Sequence, residues 1–343
     1  MQKLTEKAGA NVLFLGGSIT AGAGASFGNG YASQLGNWLR DTYGANYAIQ
    51  AIGGTGSNLA SARVSSFMET TIPDLVFIEY AVNDAANDVG DTNYTHFMRH
   101  TEGIVRQILT KNPNADIVFI NTLHVGNMAE DYETGELPPS IIAKNVVADH
   151  YDLGSVNVGK QAVVNVLNDN TKNWYTYLND GSCHPNDTGA TLYADIMKKY
   201  ITDAINNYDP EKVREVIPDD ACSDGGYYIG RMVPMSDDYV TNGTWLHDGN
   251  HSYVDGEEGT VSFTFEGDCV GIFISSSSNY RANYAYTLDG TMSGEITNTS
   301  HYALFEKNTV LGSGEHTLNL TAKSVGENYR TGLSHFLVWN LIQ

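Results

Sequence analysis

Apolar residues in the first part of the chain gather in short runs at 11–15, 45–52, 74–80 and 116–121, each bounded by polar or turn-forming residues. Runs of this length read as buried strands. The segments between them repeat with helical spacing. Tyr31, Leu35, Trp38 and Leu39 fall on one face, as do Phe97, Ile104, Val105 and Ile108. Further helices are predicted over 138–150, 159–168 and 186–206. Strand alternating with helix predicts an α/β unit whose parallel sheet is covered on both faces, a three-layer α/β/α arrangement over residues 1–206. Residues 207–226, NYDPEKVREVIPDDACSDGG, are polar and broken by Pro and Gly, and read as a linker. Pro210, Pro218 and the apolar Val213, Val216 and Ile217 predict a linker packed against its core rather than free. The texture then changes. VSFTFEGDCVGIFIS (261–275) alternates with period two across a turn at Gly267-Asp268. YAYTLDGTMSG carries the Asp-Gly signal of a hairpin, and HTLNLTA and SHFLVWNLI read as further strands. With no helical pattern between them, residues 227–343 are predicted to form an all-β jelly-roll or β-sandwich domain.

Candidate chemistry begins at NVLFLGGSIT, residues 11–20. A strand ends at two glycines, followed by Ser18 and an apparent helix start. Open α/β sheets place their sites at the carboxyl ends of strands. A serine exposed there is a nucleophile if a base lies within reach. The same turn also suits phosphate binding by backbone amides, or no chemistry at all. Three more segments share the placement: AIGGTGSNLASARV (51–64), PDLVFIEYAVND (73–84) and DGSCHPNDTGA (180–190).

Ser, Gly, Asn and His in this order at successive strand ends resemble the SGNH (GDSL-like) hydrolase family, over about residues 10–205. The resemblance implies Ser18 as nucleophile and His184 as general base, with Asp180 as the acid that orients it. It implies an oxyanion hole built from the Ser18 and Gly54 backbone amides and the Asn83 carboxamide. The family spaces its acid and base as Asp-x-x-His, whereas here three residues separate Asp180 from His184. That leaves three candidates for the orienting acceptor: Asp180 on a bulge, Asp187, or a backbone carbonyl. Gly-Gly-Ser replaces the common Gly-Asp-Ser, a form found in carbohydrate-esterase branches. Asp84 reads as structural beneath the site, and Cys183 as a packed side chain rather than a second nucleophile.

Charge narrows the ligand. Forty acidic residues against 19 basic ones give a net charge of −21. Nucleic acid and anionic membranes need basic patches, so both are excluded as partners, and a polyanionic substrate is disfavoured. The 21 tyrosines outnumber the 11 phenylalanines, which suits either stacking on sugar rings or the filling of strands. The second domain resembles carbohydrate-binding β-sandwich modules, with Trp245, Tyr280, Arg281 and Tyr284 as candidate sugar contacts near loops. The opening MQKLTEKAGA lacks an apolar signal core, so a cytoplasmic location is expected. Cys183, Cys222 and Cys269 are few and widely spaced, with no metal-ligand pattern and no disulfide framework. No metal or organic cofactor is expected, and an oligomeric state is not legible.

Taken together, the resemblances imply a carbohydrate O-acetylesterase that uses an acetyl-enzyme. Its expected substrate is a neutral acetylated hemicellulose oligosaccharide, mannan before xylan. Two alternatives come from other classes. A lipase or thioesterase on this core needs an apolar acyl channel, which the polar stretches 22–30 and 126–137 do not promise. A non-catalytic glycan-binding protein has no need of Ser18, Asn83 and His184 together.

Overall fold

The computed structural model describes the chain except residues 87–94, 212–216, 224, 250, 255–257, 275–278, 299–302, 307–309, 313 and 325–328, and except the side chains at 298 and 303–306. Two compact units result: Met1–Tyr227 with the terminal Gln343, and Tyr228–Ile342.

The first unit runs α1 (Gln2–Thr5), β1 (Asn11–Gly16), α2 (Tyr31–Tyr43), β2 (Asn46–Ala51), α3 (Ser57–Phe67), β3 (Leu75–Glu79), α4 (Ala81–Ala86), α5 (Thr95–Lys111), β4 (Asp116–Asn121), α6 (Val125–Thr134), α7 (Pro139–His150), β5 (Gly154–Asn157), α8 (Val158–Asn168), α9 (Trp174–Tyr177) and α10 (Asp187–Asn206). Its five strands lie in the order β2-β1-β3-β4-β5, and every pairing is parallel. Successive side chains on a strand face opposite ways, so the central strands β1, β3 and β4 each feed two cores. Phe14, Phe77 and Ile120 pack with Leu35, Leu39, Tyr193 and Met197 on one side. Leu15, Ile78 and Phe119 pack with Val64, Ile104, Ile108 and Val147 on the other. The apolar runs of β1, β3 and β4 follow from this two-sided burial, whereas β2, expected as a buried strand from the run at 45–52, lies at the sheet edge with no buried residue.

Three elements depart from the sequence pattern. β5 was not expected, because GSVN is too short and polar to show a period. Residues 125–134 form a helix where a polar loop was expected; Met128, Ala129 and Tyr132 turn inward at helical spacing. No helix starts after Ser18. Residues 18–24 form consecutive turns, with Ala21 and Ala23 donating to Gly17 and Ser18 carbonyls at 3.0 and 2.9 Å, and the helix begins only at Tyr31.

The segment expected as a linker belongs to the first unit. The N–H groups of Cys222 and Ser223 donate to the buried Glu102 carboxylate at 2.9 and 3.2 Å. Tyr151 donates to the same group at 2.6 Å. Ile217 packs on the core of that face; Val213 and Val216 lie outside the described residues.

The second unit is all β: β6 (Tyr227–Pro234), β7 (Val240–Asn242), β8 (Trp245–Asp248), β9 (His251–Val254), β10 (Thr260–Glu266), β11 (Cys269–Ile274), β12 (Tyr280–Leu288), β13 (Met292–Asn298), β14 (Ala303–Glu306), β15 (Glu315–Ala322), β16 (Arg330–Leu333) and β17 (His335–Ile342). One sheet has the order β7-β10-β15-β12-β16-β9-β8 with β13 on β12, and the other β14-β11-β17-β6. The Gly267-Asp268 turn carries the chain from one sheet to the other, since β10 pairs β7 and β15 while β11 pairs β14 and β17. The Asp-Gly signal does form a hairpin, with Leu288 opposite Met292 and both Asp289 and Gly290 at positive φ. A single core joins the sheets, with the Phe263 and Phe336 rings stacked at 4.1 Å.

Strand alternation overturns three of the candidate sugar contacts. Tyr280, Tyr284 and Trp245 are 2%, 0% and 7% exposed and belong to that core. On β12 every second residue from Tyr280 to Leu288 is buried, so both tyrosines point inward. Tyr280 donates to Asp248 at 2.9 Å. Arg281, on the opposite face, is half-buried and lies over the Tyr329 ring at 4.0 Å.

Candidate active site

The order β2-β1-β3 makes the chain turn to opposite sides after β1 and β2, a topological switch where α/β sheets bind ligands at strand carboxyl ends. Ser18 follows β1, Gly54 follows β2 and Asn83 follows β3. Ser18 is half-buried rather than exposed. Its Oγ lies 2.9 Å from His184 Nε2.

His184 sits on a turn that the sequence spacing made doubtful. A short bridge pairs Leu178 with Pro185, and the Asn186 side chain caps α10 by accepting from Gly189 N–H at 3.0 Å. Gly181, at φ +67, lets the intervening chain curl back on Asp180. Asp180 Oδ1 thereby accepts three backbone N–H groups, from Ser182, Cys183 and His184, at 2.8, 3.0 and 3.2 Å. Its Oδ2 lies 2.6 Å from His184 Nδ1. The extra residue is absorbed in this nest, and Asp180 is the acid on the imidazole. With Nδ1–H committed to Asp180, Nε2 is the acceptor for the Ser18 hydroxyl proton. Partial burial acts to raise the Asp180 pKa, but hydrogen bonds from the three amides and from His184 outweigh it and bring it to about 2. The group is an anion throughout the working range.

Asp187, the alternative acid, is occupied elsewhere. It accepts Ser26 N–H at 2.7 Å and the Ser26 hydroxyl, pinning the 22–30 stretch beside the site. Gly24 lies so close to the base that a Cβ there would meet His184 Cβ at 2.8 Å. Cys183 Sγ is 3.7 Å from His184 Nδ1, but burial and the Asp180 charge push its thiol up to about 11, so it stays protonated and unreactive.

Asn83 Nδ2 donates to the Thr55 carbonyl at 2.9 Å and packs against Gly17, where a Cβ would come within 1.9 Å of it. The second glycine of Gly-Gly-Ser is therefore needed for Asn83 to stand beside Ser18. The Thr55 carbonyl would lie 3.6 Å from the same Cβ, so the loop carrying Gly54 (φ +72) adjoins this turn as well. Asp84 is structural: it accepts Ser57 N–H at the start of α3 at 2.8 Å and pairs with the buried Lys144. If Asn83 donates to the oxyanion, as the resemblance implies, replacing it with Ala should lower kcat by about 10²–10³ with little change in KM. Steady-state kinetics on 4-nitrophenyl acetate check this, and a change confined to KM would make Asn83 a ground-state contact instead.

Sequence reasoning missed several groups. Glu79, at the end of the otherwise apolar β3, is 1% exposed and accepts from Thr20 and Thr122 at 3.0 and 2.9 Å. A charged residue closing a fully apolar strand was the available signal. Tyr175 and Phe27 are exposed aromatics beside the catalytic turn. A Cβ on Gly181 would lie 2.8 Å from the Tyr175 ring, and Phe27 is fully exposed next to the pinned Ser26. The Asp180, Cys183 and His184 ligand atoms lie within 4.8 Å of one another, a spacing that admits a metal ion. Asp180 and His184 are, however, already joined to each other.

Residues 14–192 match the GDSL-like Lipase/Acylhydrolase family. A search of curated proteins finds no match. Among solved structures, a two-domain esterase (CEX) active on acetylated mannans aligns at 21% identity and TM-score 0.79, over 98% of this chain and 93% of that one. The same esterase co-crystallized with mannopentaose aligns at 20% identity and TM-score 0.77, with the same coverage. At such identities the likeness shows the fold, α/β unit and β unit together.

Proposed function

We propose, from the premise that this chain belongs to the GDSL-like lipase/acylhydrolase family, that it is a serine acetylesterase acting on acetylated hemicellulose oligosaccharides, mannan before xylan. The observation that carries the chemistry is the relay Ser18–His184–Asp180, with contacts of 2.9 and 2.6 Å. Ser18 Oγ attacks the acetyl carbonyl carbon as its proton passes to His184 Nε2. The Ser18 and Gly54 amides and Asn83 Nδ2 hold the oxyanion. The bond to the sugar oxygen breaks, and that oxygen takes the proton from His184. Water then attacks the acetyl-enzyme, again giving a proton to His184, and acetate leaves as Ser18 is restored. Asp180 holds the imidazole in the required tautomer throughout.

Support for a carbohydrate substrate comes from the two-domain likeness to an esterase active on acetylated mannans, and from a net charge of −21 that suits a neutral ligand. A chain-length series of 4-nitrophenyl esters separates this reading from a lipase. Acetate should be the best substrate, and faster turnover of longer acyl esters would sink it. Sugar stacking is expected on Tyr175 and Phe27. An aromatic contact of about 1 kcal/mol corresponds to a several-fold change in affinity. Tyr175→Ala and Phe27→Ala should each raise KM for acetylated mannooligosaccharides about three- to tenfold. An unchanged KM in both variants would place the sugar elsewhere.

A further inference from the structure

We propose that Glu79 is a positioning residue for catalysis, its carboxylate fixing the turn that presents Ser18; this rests on the serine-esterase reading above. Glu79 ends β3, directly opposite Gly16 at the end of β1. Its two oxygens take hydroxyl hydrogen bonds from Thr20 and Thr122 at 3.0 and 2.9 Å. Gly16, its partner in the ladder, and Thr20, its hydrogen-bond donor, lie on either side of Ser18, so one buried residue flanks the nucleophile turn and ties it to the end of β4. Tyr31 extends the network, its hydroxyl 2.7 Å from Thr20 Oγ1. Two hydroxyls, one donating to each oxygen, match the ionised acid. A neutral acid carries a proton on one oxygen, and the hydroxyl facing that oxygen must turn from donor to acceptor.

The fold alone does not account for this choice. Burial is the largest influence on Glu79 and pushes its pKa up to about 7, against the partial relief given by Thr122, Thr20 and Gly17. Its folded pKa lies above the unfolded value. Its contribution to stability is therefore present in full below the ordinary glutamate range and lost as pH rises through about 7. An ion that weakens the fold in its charged state, set under a nucleophile, has the character of a functional group. The other titratable groups facing it are Tyr31, Tyr80, Tyr193, Cys183 and Asp84. Burial holds the three tyrosines and Cys183 protonated well above neutrality, and Asp84 is paired with Lys144.

Glutamine mimics the neutral acid, so Glu79→Gln tests the charge. The readout is the ratio of wild-type to variant kcat on 4-nitrophenyl acetate across pH, in which the His184 ionisation common to both enzymes cancels. The ratio should be within about threefold of unity near pH 5.5 and rise at least about tenfold by pH 8.5, with KM little changed. A ratio flat across pH, or an effect on KM alone, would overturn the proposal by making Glu79 purely structural or a substrate contact. If Glu79→Gln fails to give a cooperative melt, Thr20 supplies the second test. Thr20→Val should lower kcat about five- to tenfold and Thr20→Ser should restore it. Equal kcat in the two Thr20 variants contradicts the proposal. Loss of 4-nitrophenyl acetate turnover in Ser18→Ala is measured alongside. If that variant stays active the esterase reading fails, whatever Glu79 does.

Discussion

Ser18→Ala should leave a folded protein whose kcat on 4-nitrophenyl acetate has fallen by about 10⁴-fold or more. The size of the loss follows from the arrangement. In the proposed mechanism the Ser18 hydroxyl, 2.9 Å from the imidazole, is the nucleophile. What remains after its removal is an oxyanion hole and a base with nothing to activate except water. The fold should tolerate the change. Ser18 is half-buried, and its Oγ hydrogen bond is to a side chain used for catalysis. Such substitutions usually shift stability by about 0.5 kcal/mol or less. Thermal melts beside the kinetics separate the two effects. Retention of even a tenth of wild-type kcat in a folded variant would show that another group is the nucleophile.

Asp180→Asn should be nearly as damaging, lowering kcat by about 10³–10⁴. An asparagine at this position can keep Oδ1 as acceptor for the three backbone amides of Ser182, Cys183 and His184. Its amide nitrogen then faces His184 Nδ1 with a donor, where Oδ2 now accepts at 2.6 Å. The imidazole is driven toward the tautomer with Nδ1 unprotonated, and Nε2 can no longer accept from Ser18. Sequence spacing alone, which leaves the orienting role open, gives the expectation that Asp180→Asn is milder than His184→Ala. A variant retaining a tenth or more of kcat would favour that expectation and make the acid dispensable.

The contrast shows what a sequence can carry. The centre of the sheet was legible because β1, β3 and β4 are buried on both faces, so their apolar runs stood out, whereas the short polar β5 and the half-polar helix at 125–134 carried no clear period. Ser18, Asn83 and His184 stood out only as a set, because Ser, Gly, Asn and His in that order at successive strand ends resemble the SGNH hydrolases; each alone read as a turn or loop residue. The Asp180 geometry was not. Its nest depends on a positive φ at Gly181 and on three amides turning inward, neither of which residue spacing encodes. Glu79 escaped notice because its partners Thr20 and Thr122 come from other strand ends, and only the parallel register brings them together. The sugar contacts assigned to Trp245, Tyr280 and Tyr284 failed for a simpler reason. A period-two pattern says that alternate residues share a face, but not which face is covered, and here the aromatic face is the core.

The central claim is that Ser18 chemistry removes acetyl groups from a neutral sugar chain. Mass spectrometry of acetylated mannan and xylan oligosaccharides, before and after incubation with wild-type enzyme and with Ser18→Ala, tests it most directly. The account predicts stepwise loss of acetyl groups from intact oligosaccharides with the wild type, further on mannan than on xylan, and no change with the variant. Acetylated chains left unaltered by a wild-type enzyme that hydrolyses 4-nitrophenyl acetate would contradict it.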